Sequence, residues 1–274
     1  MSDSEDILYE VKGKVTVITL NLPKKLNAMT GDNYLQLAKL VAQADEEDGT
    51  VATIIQSTGR YFSAGANISG LSEFDDPSEI FSHDFWFKNF VGRNAYLVDL
   101  FNNHKKVLVA ALNGPVIGLS AALVALCDLI YCIDEEKVYV LTPFANLGLV
   151  AEGSSSATLF FRLGWSKASE ALLLSKPIPG DDLNKVGFFN KVFTGKGLTT
   201  EQFNEEVYKE ISTKLEGLYE PSIFQNKQLL KSNRDHLVNN ANSKELIQGF
   251  NRWIQGIPQQ RFVQLANKEI KHKF

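Results

Sequence analysis

The sequence predicts an α/β fold closed by a helical C-terminal region, and three observations carry that prediction. Short apolar runs of strand length alternate with segments of helical period through the first two-thirds of the chain. After Asp181 the strand signals thin out and helical patterns follow one another. A strand followed by a Gly-containing turn occurs twice, after Gln56 and after Leu112, which is a weak internal repeat.

The elements follow in order. Ile7–Val11 and Lys14–Leu20 are β-rich, flank Gly13 and read as a hairpin or two adjacent strands. Thr30 to Asp48 reads as a helix: Tyr34, Leu37, Ala38 and Val41 fall at i, i+3, i+4 and i+7, and Gly49 stops it. Val51–Gln56 is a buried strand, followed by the loop Ser57–Arg60 and then Tyr61–Ala66. Phe81 to His104 is aromatic-rich and helical. Val107–Leu112 is a second buried strand, Asn113-Gly114-Pro115 a turn, and Leu119–Leu126 a short helix. Leu129–Ile133 and Val138–Leu141 read as strands, and Thr199–Leu215, Pro221–Lys231, Ser243–Trp253 and Gln259–Lys271 as helices. No linker separates these parts. The expectation is a continuous unit with a core over 1–198 and a helical region over 199–274 serving as lid or assembly surface.

With 274 residues, 44% of them hydrophobic, the chain can bury a sizeable core. The net charge of -4 leaves no basic domain for a broad nucleic-acid footprint. Val107 through Cys127 carries no charge and is about long enough to span a bilayer. Asn113-Gly114-Pro115 interrupts it, so the run splits into strand, turn and helix and no membrane span is expected. Cys127 and Cys132 sit in apolar runs and read as buried thiols. The acidic start, Met1 to Asp6, resembles neither a secretory signal nor an Arg-rich transit peptide.

Two small-residue turns are candidates for chemistry. Ser63-Ala64-Gly65-Ala66-Asn67 lets a ligand approach the backbone, and Ile117-Gly118-Leu119-Ser120 feeds a helix N-terminus whose free N–H groups favour negative charge. Two such N–H groups aimed at one oxygen would form an oxyanion hole, although each turn taken alone reads as an ordinary tight turn. Glu152 is a lone carboxylate in Leu147-Gly148-Leu149-Val150-Ala151-Glu152-Gly153-Ser154; it is either an acid–base group tuned by apolar surroundings or a solvated loop residue. The four histidines share no metal-site or triad spacing. Ser63 and Ser120 lack a G-x-S-x-G elbow, and neither a P-loop nor a G-x-G-x-x-G fingerprint follows a strand. Nothing calls for a metal, ATP or NAD.

Taken together these residues resemble the crotonase (enoyl-CoA hydratase/isomerase) superfamily from about Ile7 to Gly164. The landmarks are Leu22-Pro23-Lys24-Lys25-Leu26-Asn27-Ala28, Gly59 through Asn67, and Asn113-Gly114-Pro115 through Asp128. Within the superfamily, Asn146 through Gly153 and Leu119–Asp128 look most like the fungal peroxisomal Δ3,Δ2-enoyl-CoA isomerases. The resemblance implies a crotonase-like fold of repeated ββα turns, a homotrimer or hexamer, and no cofactor beyond the coenzyme A carried by an acyl-CoA substrate. It implies an oxyanion hole on the backbone amides of Ala66 and Leu119. It also implies a substrate surface including Lys24, Lys25, Ala28, Ala64, Gly65, Ala66, Asn67, Ile68 and Leu119. Lys24 or Lys25 would meet CoA phosphates, though either reads equally as a solvated lysine.

The departures from the family pattern matter as much. Where hydratases carry two catalytic glutamates this sequence has Ala122 and Phe144, while Glu152 occupies the base position of one-base isomerases. Asn67 stands where many members have Asp, and Leu119 where many have Gly. The implied activity is a shift of the double bond from C3–C4 to C2–C3, with Glu152 carrying the proton. The alternatives are dienoyl-CoA isomerisation and a non-catalytic acyl-CoA-binding relative. Phe85-Trp86-Phe87 with Phe90 would line the acyl channel or simply pack the helix. The tail His272-Lys273-Phe274 loosely matches a peroxisomal address. With the resemblance, it gives an expected peroxisomal matrix location through the import receptor, or by riding in with an oligomeric partner, with the cytoplasm as fallback.

Overall fold

A computed structural model describes residues 6–67 and 81–271. Its centre is a six-stranded sheet in the order Ile7–Lys12, Val15–Leu20, Ala52–Ser57, Val107–Leu112, Leu129–Cys132, Lys191–Val192. β1 (Ile7–Lys12) and β2 (Val15–Leu20) form the expected hairpin around Gly13. α1 (Gly31–Glu46) then returns the chain so that β3 (Ala52–Ser57) lies parallel to β2, with Val15 opposite Ala52 and Leu20 opposite Ser57. Such parallel strands are covered on both faces, which is why β2 is buried at every position. Thr30 caps α1 in a reciprocal box with Asn33, and Tyr34, Leu37, Ala38 and Val41 are all buried, as their spacing predicts.

The segment read as one helix over 81–104 is two helices joined by a wider turn. α2 (His83–Trp86) passes through a π-helical stretch, Phe87–Gly92, into α3 (Arg93–Asn103). β4 (Val107–Leu112) pairs with β3, β5 (Val116–Ile117) follows the Asn113-Gly114-Pro115 turn, and α4 (Leu119–Leu126) is wholly buried. β6 (Leu129–Cys132) extends the main sheet. β7 (Tyr139–Leu141) joins β5 and β8 (Ile178–Pro179) in a second, three-stranded sheet. Among the described residues no helix is long and apolar enough to cross a membrane. Both cysteines are free and buried, and burial pushes each thiol up to about 12.

Several elements have no counterpart in the sequence reading: the two-residue strands β5 and β8, and the segments Ser155–Leu174, Gly180–Lys185 and Lys191–Val192. α5 (Ser155–Leu174) is a 20-residue helix broken at Gly164, whose φ of 71° is not helical. It also exposes Phe160, Phe161 and Trp165, so its apolar residues do not mark one buried face. β9 (Lys191–Val192), reached through α6 (Gly180–Lys185), completes the main sheet with only two residues.

The C-terminal helices are α7 (Thr200–Leu215), α8 (Glu220–Ser232), α9 (Asp235–Ile254) and α10 (Ile257–Ala266). α9 begins well before the Ser243 expected, and α10 stops at Ala266 rather than Lys271. These helices are tied to the sheet by polar contacts. Asn204 of α7 donates to the Ser57 carbonyl at 3.0 Å, and Lys227 of α8 bonds Asp128 and the Lys106 carbonyl at 2.6 Å each.

Candidate active site

The two small-residue turns lie side by side. Phe62 N and Ser63 N donate to the Pro115 carbonyl, and Ile117 N donates to the Ser63 carbonyl at 3.0 Å, so the two segments run parallel. Gly65 has φ 85°, and a Cβ there would stand 2.8 Å from the Ile117 carbonyl oxygen. Only glycine meets both demands, and that close approach sets the Gly65 backbone against Ile117 and Gly118. On its other side the loop pairs with Met29, which donates to Gly65 O at 2.9 Å and accepts from Asn67 N at 2.8 Å. In a parallel bridge of this kind the intervening Ala66 N–H points away from Met29. Among the described residues no backbone acceptor takes that amide, and Ala66 is exposed. Gly118 caps α4 with φ 61° and ψ -132°, so Leu119 is the first helical residue. Its N–H therefore has no intrahelical acceptor and points outward from the positive end of the helix.

A chain of buried hydroxyls braces the two turns. Ser63 Oγ donates to the Asn27 carbonyl at 2.8 Å and accepts from Gly65 N at 3.1 Å. Its one proton is thus used, so it accepts from Ser120 Oγ at 2.9 Å, and Ser120 in turn accepts from the Tyr34 hydroxyl at 3.0 Å. Burial raises the Tyr34 phenol well above its ordinary value and keeps it a donor. Asn27 closes the same corner, donating to Thr58 O and Tyr61 O and accepting from Leu22 N, each at 2.8 Å.

Glu152 reaches this corner from another direction. A Cβ on its neighbour Gly153 would stand 2.7 Å from Ala122 Cβ and 3.1 Å from Leu119 Cδ1, so the Glu152 turn abuts the first turn of α4. Asn94 Nδ2 donates to Glu152 Oε2 at 2.9 Å. Arg93 Nε donates to Asn94 Oδ1 at 3.1 Å, which fixes the Asn94 amide with its N–H toward Glu152. The Arg93 guanidinium also lies over the Tyr34 ring, 5.6 Å from its centroid. Burial raises the Glu152 carboxyl above its ordinary value; the Arg93 charge and the Asn94 hydrogen bond pull it back in part. A carboxylate in that state takes up a proton more readily than one in water.

The remaining predicted residues divide. Ala28, Ala64, Gly65, Ala66 and Asn67 line one edge through the pairing of residues 26–29 with 64–67. Lys24 and Lys25 are exposed on the short 3-10 turn Pro23–Lys25 at the start of that edge. Ile68 lies outside the described residues, as does the tail His272-Lys273-Phe274. Ala122 and Phe144, the two positions the resemblance matches to hydratase carboxylates, are buried, at 0% and 2% exposure. Trp86 and Phe90 pack in a satellite cluster with Trp253, and Trp86 stacks on Trp253 at 3.9 Å. Leu149 joins that cluster from the Glu152 loop. The sequence marks Tyr34 only as part of a buried helix face, shows Ser63 and Ser120 only as members of the two turns with no nucleophile elbow, and assigns no role to Arg93 or Asn94. Ordinary polar residues on amphipathic helices give no pattern that would single them out.

The family model for enoyl-CoA hydratase/isomerase matches residues 10–247, and the chain belongs to that family. Among its relatives, the 3,2-trans-enoyl-CoA isomerase of Saccharomyces cerevisiae is 43% identical over 273 residues, covering 98% of this chain and 97% of the other. The Delta(3,5)-Delta(2,4)-dienoyl-CoA isomerase of Pyricularia oryzae is 40% identical over 274 residues, covering 96% and 97%. The fold is shared with a crystal structure of an enoyl-CoA hydratase/isomerase from Mycobacterium paratuberculosis. That likeness has a TM-score of 0.82 at 24% identity and covers 97% of this chain and 100% of that one.

Proposed function

We propose that this chain is an enoyl-CoA isomerase that converts 3-enoyl-CoA to trans-2-enoyl-CoA, as in fatty acid β-oxidation, with Glu152 shuttling the proton. The observation that carries this reading is the desolvated Glu152 carboxylate, held by Asn94 against the first turn of α4. The substrate thioester oxygen would accept from the Ala66 and Leu119 amides, which stabilises the dienolate formed when a proton leaves C2. One such donor is typically worth ~2.7–4 kcal/mol. Glu152 takes the C2 proton and returns it at C4, leaving the double bond conjugated with the thioester. Apolar Ala122 and Phe144 favour isomerisation over hydration, because addition of water needs a base and an acid around it. Relatives named for the same reaction support the assignment.

The coenzyme A would lie along the edge formed by residues 24–28 and 64–66, with Lys24 and Lys25 near its phosphates. The reaction as proposed draws on no further cofactor. Exposed apolar side chains such as Trp165, Leu229 and Leu230 support burial of α5 and α8 in a homotrimer or hexamer. Import into peroxisomes is proposed from the likeness to enoyl-CoA isomerases that include one named as peroxisomal.

Dienoyl-CoA isomerisation is the second reading, because a 40% identical relative is named for it. Purified protein assayed on 3-enoyl-CoA, 3,5-dienoyl-CoA and 2-enoyl-CoA separates the possibilities. The expected result is fastest turnover of 3-enoyl-CoA and little hydration. Faster turnover of the dienoyl substrate, or efficient formation of 3-hydroxyacyl-CoA, would overturn the assignment.

A further inference from the structure

The turn that follows Glu152 is held from the C-terminal helices. Gly153 and Ser154 are both left-handed, with φ of 68° and 62°. For Ser154 that conformation is costly and persists only where neighbours over-determine it. Ser154 is also the N-cap of α5, yet its side chain makes no capping bond. Its hydroxyl instead donates to the Val238 carbonyl of α9 at 3.1 Å, and its N–H donates to Glu245 Oε2, also on α9, at 2.7 Å. Glu245 Oε1 accepts from Ser156 N at 2.8 Å and from Ser156 Oγ at 2.5 Å. A side chain 91 residues downstream of Ser154 therefore caps α5, two residues after Glu152.

Glu245 is only 6% exposed, and both its oxygens are taken by protein donors. It is not available to touch a substrate. Burial holds its carboxyl at about 7 despite the three donors, and the charge of Glu152 adds to that rise. So costly a group is not needed merely to end a helix, which solvent or a local serine can do.

We infer that Glu245 is a positioning residue for the reaction, fixing the Gly153–Ser156 turn and so the aim of the Glu152 carboxylate at the substrate. The inference rests on the reading of Glu152 as the base. It makes α9 part of the catalytic apparatus: displacement of α9 would misdirect the base while leaving both amide turns intact.

The test is steady-state turnover of 3-enoyl-CoA by the full chain as wild type, Glu245→Gln, Ser156→Ala, Glu152→Gln and the double variant Glu152→Gln/Glu245→Gln. Circular dichroism confirms the fold of each. A hydrogen-bond set to a charged acceptor translates into about a tenfold to hundredfold change. Glu245→Gln should lower kcat by about that factor with KM within about threefold, and Ser156→Ala should lower it by a smaller factor. The double variant should be no slower than Glu152→Gln alone, because Glu245 acts through Glu152. A folded Glu245→Gln with kcat within about twofold of wild type would overturn the inference, judged against the tenfold scale. So would a double variant slowed by the full product of the two factors. If Glu245→Gln does not fold, an unchanged kcat in Ser156→Ala overturns it. Substantial activity in Glu152→Gln would instead sink the base assignment. An inactive Glu152→Gln beside a fully active Glu245→Gln would sink only the role of Glu245.

Discussion

Ala66 and Leu119 stand on two backbone turns that brace each other, whereas Glu152 stands on a turn braced by side chains from distant helices. The amide half is built within the sheet core. Gly65 against Ile117 and the chain from Tyr34 through Ser120 to Ser63 hold it. The carboxylate half depends on Asn94, 58 residues away from Glu152, and on Glu245 of α9. The first half is stiff because backbone cannot move without breaking strands. The second can be altered by one side chain, so its chemistry can be retuned while the amide pair stays in place.

The comparison breaks most sharply at Gly65. Gly65→Ala would drive a methyl against the Ile117 carbonyl and push the Ser63–Asn67 turn away from the Ile117–Ser120 turn. Turnover should fall by ~10²–10³-fold, the cost of losing one oxyanion donor. Retention of activity within tenfold would show that the Ala66 amide is not needed.

Asn94→Ala should cost about tenfold to a hundredfold, the scale of a hydrogen bond to a charged group. It also has a pH signature. Asn94 favours the charged form of Glu152, so its removal raises the carboxyl further above its ordinary value. A base must be deprotonated, so the acid limb of kcat/KM should move to higher pH. An unmoved limb would mean that another group sets it.

Ser120→Ala removes the middle of the hydroxyl chain and leaves Tyr34 without its acceptor. It should cost about 1–3 kcal/mol of stability, read from the urea midpoint. The effect on kcat should be smaller than that of Asn94→Ala; the reverse ranking would place Ser120 in the chemistry rather than the scaffold.

The smallest effect expected is a pH slope in stability. The Glu245 carboxyl rises on folding to about 7. The stability it contributes is full below its ordinary value and is lost as pH climbs through about 7. His104, which burial holds down at about 3, works in the opposite sense: its contribution is full above its ordinary value and is lost as pH falls. The difference in stability between wild type and Glu245→Gln isolates the first term. It should move against wild type between about pH 5 and pH 8, whereas a constant difference would place the Glu245 titration elsewhere.

The same contrast explains what could be read from sequence. The hairpin, α1 and the strands of the sheet centre were legible because their apolar periods differ and glycine marks their ends. The amide turns were legible for the same reason: Gly65 and Gly118 are demanded by local backbone. Asn94 and Glu245 carry no such mark. Each is a polar residue on a helix, and only tertiary packing turns it inward. α5 carries no clear helical period because Gly164 breaks it and Trp165 faces out, while two-residue β9 is too short for any pattern.

The central claim is that one carboxylate moves the proton, and Glu152→Gln tests it most directly. The amide retains the shape and can still bond Asn94, but it cannot accept the proton. Purified variant, shown to be folded and to bind acyl-CoA with wild-type affinity, should turn over 3-enoyl-CoA ~10²–10⁴-fold more slowly than wild type. Turnover above about a tenth of the wild-type rate, well outside that range, would contradict the account.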